Sequence, residues 1–141
     1  MPSPEASWRS RCPINVSLEI FGDRWSLLVV RDLLFGGPRS FSQLLDAQEG
    51  IATNVLTDRL QRLEAHGIVE RHPDPKDGRR GRYLLTPKGL DLAPILIEMV
   101  SWGARYEDTA APPAILREIK RDRESFLAAL RERRKADRQG T

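Results

Sequence analysis

The chain of 141 residues has one cysteine, two histidines and few aromatic side chains, 6% in all. A lone cysteine excludes an intramolecular disulfide framework and suits a reducing cytoplasm. His66 and His72 stand apart from any ligand cluster, so the spacing of a zinc site is missing. Long hydrophobic runs are missing too. Leu27–Val30 is among the longest, far below the roughly 20 residues that span a bilayer. Met1 to Arg11 holds Pro, Ser and Arg but no apolar stretch, so no secretory leader is expected and the reading is cytoplasmic. Gly36-Gly37-Pro38 lacks the Lys-Ser/Thr that completes a phosphate-cradling loop. Acidic residues alternate with basic ones along helix faces, as solubility requires. Enzymatic activity and a cofactor are therefore not expected.

What remains is 40% hydrophobic and 30% charged, with 23 basic residues against 20 acidic. The resulting pI near 9.4 leans mildly towards nucleic acid. The length suits one compact domain, or one domain with a tail.

Periodicity organises the chain. Residues 1–11 read as a flexible arm. Ile14, Leu18 and Phe21 recur at i, i+4 and i+7, which predicts a helix opened by Pro13 and stopped at Gly22. Arg24 to Phe35 is apolar almost all round, the pattern of a central buried helix. Two more helices are predicted next, from Ser40 or Phe41 to Ala47 and from Ala52 to His66, the latter stopped by Gly67. Then the period changes to strands at Ile68–His72 and Arg82–Thr86, joined by a turn-rich basic tip. Thr86-Pro87 opens a helix to about Tyr106 with a bend at Pro94. A last charged amphipathic helix runs from Pro112-Pro113 to about Arg134. The sum is a mainly α fold with a small β-hairpin, in winged helix-turn-helix order.

Specific strings sharpen this. Cys12-Pro13, Gly22-Asp23-Arg24-Trp25-Ser26-Leu27-Leu28, Arg31-Asp32-Leu33 and Phe41 occur in order. Gly50 to Leu60, Leu63-Glu64, Gly67-Ile68-Val69, Tyr83 to Gly89 and Trp102-Gly103 follow. Over residues 12 to 106 the chain resembles the HxlR-type bacterial transcriptional regulators, relatives of the MarR group. The resemblance implies a winged helix dimer that binds operator DNA, as a repressor or an activator. Ala52 replaces a Ser common in that family, passing the cap of the second helix to Thr53. The wing, Asp74 to Arg80, is closer to the MarR style than to a Pro-rich one. The domain reading is then an arm at 1–11, a DNA-binding domain at 12–110 and a charged C-terminal helix and tail at 111–141.

Burying Val55, Leu56, Leu60 and Leu63 turns Asn54, Thr57, Asp58 and Gln61 outward, where Asn and Gln suit adenine and Thr offers a hydroxyl and a methyl. Ser42 and Thr53 suit phosphate, which asks only for a donor. Arg59 falls beside the apolar sector, so an ion pair and a phosphate contact both remain open; Arg62, at its edge, also fits either. Lys76, Arg79, Arg80 and Arg82 form a basic wing tip against Asp77 alone, suited to phosphates or the minor groove. The helix from Pro87 to Tyr106 is apolar on more faces than one subunit can cover, so it implies a homodimer through flanking helices, reading a pseudo-palindromic operator. The alternative is a winged helix that binds protein and has no operator of its own. Cys12, at the start of the first helix with Arg9 and Arg11 nearby, is either a redox thiol of the kind some family members use or an inert cap.

Overall fold

A computed structural model describes residues 8–47, 49–77 and 80–139. Helix α1 spans Pro13–Phe21 with Pro in its first turn. Helix α2, Arg24–Gly36, is capped by Asp23, whose carboxylate accepts from the backbone N–H groups of Trp25 and Ser26. Val30, Leu33 and Leu34 of α2 are fully buried and form the axis of the core. Phe35, however, is exposed, so α2 is not apolar on every side for burial's sake.

Strand β1, Arg39–Ser40, leads directly into α3, Phe41–Leu45. Ser40 and Gln43 make a reciprocal capping box, Ser40 Oγ accepting from the Gln43 N–H and Gln43 returning the bond to the Ser40 N–H. After a turn, α4 runs Thr53–Ala65. Arg31 of α2 holds that turn by its 2.7 Å ion pair with Glu49. Helix α4 starts without any side-chain cap, since Thr53 already lies inside the helix. The expected transfer of the cap to Thr53 does not occur; the Thr57 hydroxyl instead donates to the Thr53 carbonyl at 2.9 Å.

The end of α4 fixes where the wing begins. Gly67 adopts φ +72°, and its N–H bonds the Glu64 carbonyl while the Ile68 N–H bonds that of Leu63. This is a Schellman motif, which only a residue tolerant of positive φ closes cheaply. Strands β2, Val69–Pro73, and β3, Gly81–Leu85, pair antiparallel, with Arg71 opposite Tyr83 and His72 opposite Arg82. Strand β1 adds on the other side of β3, giving the order β1-β3-β2. Thr86 then ties the base of the wing to the end of α4: its N–H bonds the Ile68 carbonyl, and its Oγ accepts from the Gly89 N–H.

The expected single helix to Tyr106 is two, α5 at Pro87–Leu90 and α6 at Ala93–Tyr106. Pro94 starts a new helix rather than bending an old one, because its ring and missing N–H suit a first turn. The last helix is likewise two, α7 at Pro113–Arg121 and α8 at Arg123–Gln139. Asp122 divides them: its carboxylate accepts from the backbone N–H and the hydroxyl of Ser125. Helix α8 folds back on the chain's own core, with Leu130 only 1% exposed in one cluster with Val30, Leu33, Leu60 and Leu63. Arg138 reaches Glu70 of β2 at 3.0 Å.

Candidate nucleic-acid interface

Helix α4 presents two chemically distinct sides. Leu56, Leu60 and Leu63 are buried, while Thr53, Asn54, Thr57, Asp58, Gln61 and Arg62 are exposed. The polar face is therefore a consequence of the apolar stripe that anchors the helix, as the periodicity requires. It carries amide and hydroxyl groups, the donors and acceptors that read base edges in a major groove. Asp58 is turned sideways into an ion pair with Arg59.

Arg59 resolves in favour of structure. Its Nε donates to Asp23 Oδ1 at 2.9 Å, joining the middle of α4 to the cap of α2. Burial works against ionisation of Asp23, yet hydrogen bonds from Ser26, Arg59 and Trp25 outweigh it and bring the carboxyl down to about 2. Arg62 points towards α1, with its guanidinium donating to the Glu19 carbonyl at 3.3 Å. The far end of α4 is covered as well: the Trp8 ring stacks on His66 with centroids 6.1 Å apart. Partial burial, then repulsion from Lys88 and Arg62, lowers the His66 pKa.

A cleft of about 630 Å³ lies between the first turn of α3 and the wing. Ser42, Arg80 and Arg82 line it, together with Arg71, Tyr83 and Gly81. Three of the expected residues thus meet in one concave surface. Lys76 is exposed on the wing turn, which Asp74 shapes by accepting from the Lys76 N–H at 2.8 Å. Arg79 lies outside the described residues. Arg71 did not figure among the residues expected from sequence, since an isolated Arg in an alternating strand carries no periodic signal.

Cys12 lies elsewhere, exposed at the cap of α1. Backbone N–H groups of Asn15 and Ile14 favour its thiolate and lower its pKa. Among the described residues no group of three His, Cys, Asp or Glu is arranged to hold a metal ion. No helix there is long and apolar enough to cross a membrane.

A helix-turn-helix with an exposed polar second helix, flanked by a three-stranded wing, defines the winged helix-turn-helix class. A model described as HxlR-like helix-turn-helix matches residues 20–111, and the chain belongs to this family of transcriptional regulators. A helix-turn-helix-type transcriptional regulator of Synechocystis, sll1512, is 43% identical over 95 residues, 67% of this chain and 70% of its own length. The reduced form of the transcriptional regulator YodB from Bacillus subtilis superposes with a TM-score of 0.57 at 31% identity, covering 69% of this chain and 95% of that one. The redox regulator HypR in its oxidized form gives 0.60 at 30% identity over 70% of this chain and 100% of its own.

Proposed function

We propose that this regulator binds a pseudo-palindromic DNA operator as a homodimer in the cytoplasm, with α4 in the major groove and the wing on the flanking minor groove. The single observation that carries this reading is the exposed, polar face of α4 beside a basic wing. Asn54, Thr57 and Gln61 read bases, and Asp58 borders them. Ser42, Thr53, Arg62, Lys76, Arg79, Arg80 and Arg82 meet phosphates or the minor groove. A protein-binding winged helix would instead want an apolar recognition face. Residues 12–110 form the DNA-binding unit, and α7 and α8 brace it.

The homodimer rests on α1 and α6. Ile14 is 71% exposed, Leu18 57% and Trp102 65%, a cost that one subunit alone has no means of relieving. Leu18 of α1 and Ile95 and Met99 of α6 line an apolar groove of about 850 Å³, which a second copy would fill. Helix α8 spends its apolar side on its own core, so it adds little to this interface.

A second reading concerns Cys12 as a redox thiol. Its exposure and lowered pKa favour it, and HypR, a similar structure, is a redox regulator. With no second cysteine in the chain, oxidation would proceed through a disulfide between subunits or with a small thiol.

Selection of bound duplexes from a random DNA pool tests the main reading. The expected product is a two-fold repeat with half-sites about one helical turn apart. Asn54→Ala and Gln61→Ala should each relax preference at particular base pairs by about 1–3 kcal/mol. A pool that gains no sequence preference would support the protein-binding alternative.

A further inference from the structure

The floor of the cleft holds an arginine in an unusual posture. Side chains alternate along a strand, so Tyr83 and Gly81, two residues apart on β3, share the face on which Arg71 stands opposite Tyr83. Gly81 gives that face a gap, and the Arg71 guanidinium fills it. A Cβ built on Gly81 would lie 2.3 Å from Arg71 Nε and 2.4 Å from its Cζ. The Arg71 guanidinium also lies close enough to the Tyr83 phenol for its charge to favour the phenolate. This long side chain therefore runs along the wing towards its tip, over the glycine and beside the tyrosine.

Its surroundings are suited to an anion. Ser40, Ser42, Arg80 and Arg82 line the same cleft. Asp74, which also lines it, has its Oδ1 occupied by the Lys76 N–H at 2.8 Å. The cleft has α3 as one wall and the wing as the other. If α4 occupies a major groove and the wing the adjacent minor groove, the sugar–phosphate strand dividing those grooves passes between the two walls.

We propose that Arg71 is a phosphate clamp, holding the DNA backbone strand that crosses the cleft between α3 and the wing. This inference rests on the DNA-binding reading above and adds a residue and a seat to it. The planar fork binds a phosphate through two parallel N–H donors, and its fixed posture leaves less rotamer freedom to lose on binding. Arg71 specifies no base; it sets the register of α4 in the groove.

The experiment measures affinity for a duplex selected from the random pool, from 50 to 300 mM salt, in wild type, Arg71→Gln, Arg71→Lys and Gly81→Ala. Thermal unfolding is followed in each. Gln stays polar beside Tyr83 and covers Gly81 but carries no charge. Arg71→Gln is expected to weaken binding about tenfold or more at moderate salt and to lower the salt slope by about 0.9. Arg71→Lys should keep the slope and lose affinity by a smaller factor, because a point charge lacks the fork. Gly81→Ala keeps every charge yet displaces the guanidinium, and should weaken binding at unchanged fold. Wild-type affinity and slope in Arg71→Gln would make Arg71 a structural prop and overturn the clamp. Wild-type affinity in Gly81→Ala would overturn it independently, even if Arg71→Gln proved unstable. Absence of DNA binding by the wild-type chain would instead sink the DNA reading itself, and the clamp with it.

Discussion

Asp23 is where the recognition helix is fastened to the core, and its removal gives a quantitative test. Asp23→Ala deletes the cap of α2, which accepts from Trp25 and Ser26, at a cost of about 1 kcal/mol. It also removes the partner of Arg59, held at 2.9 Å with both side chains 22% exposed. A hydrogen bond to a charged group contributes about 1.5–3 kcal/mol when buried, and roughly half of that at this exposure. The expected total is about 2–2.5 kcal/mol, read as a lower urea midpoint at unchanged slope. The same carboxylate makes stability depend on pH. Its folded pKa, about 2, lies below the ordinary aspartate value of 3.8. The contribution is therefore fully present above about pH 4 and is lost as pH falls towards 2, amounting to roughly 2 kcal/mol. Asp23→Asn should flatten that part of the acid limb. Paired with Arg59→Ala, Asp23→Ala should show a coupling of about 1 kcal/mol. A loss below about 0.5 kcal/mol at pH 7, which is the scatter of neutral surface changes, would refute the fastening.

Leu130→Ala should cost about 2–4 kcal/mol in chemical denaturation, because α8 supplies a fully buried side chain to the main core; a surface-like effect would mean that α8 detaches in solution. Trp102→Glu and Leu18→Glu should convert a dimer into monomers by light scattering at micromolar concentration. A wild-type chain that is already monomeric there would contradict the use made of α1 and α6. Alkylation of Cys12 against pH should show a midpoint below the ordinary thiol value of about 8.5. A midpoint at that value, or operator binding indifferent to diamide, would leave Cys12 as a cap alone.

Much of the fold was legible because burial has a period. Val55, Leu56, Leu60 and Leu63 imply both α4 and its polar face, and Gly67 with Thr86-Pro87 marks the wing's two bases. The misses have local causes. Strand β1 is two residues long and too short to show alternation. The break between α5 and α6 is hidden because Leu90, Ala93 and Ile97 are all buried, so apolar spacing runs through it. The break at Asp122 sits in a charged run without Gly or Pro, where a capping Asp looks like any other solvated carboxylate. Arg59 could be narrowed to two roles, but only the placement of Asp23 across from it decides between them. Arg71 was invisible for a similar reason: its posture depends on Gly81 and Tyr83, brought opposite it by strand register.

Chemical footprinting on a selected duplex tests the central claim most directly, because it reports the two grooves separately. With α4 in the major groove, guanine N7 positions should be protected from methylation in two half-sites about 10 base pairs apart. The wing should add protection from hydroxyl radicals on the backbone flanking each half-site, and Arg80→Ala should remove it selectively. Protection confined to the minor groove, or methylation unchanged on a duplex that the protein binds, would contradict the placement of α4.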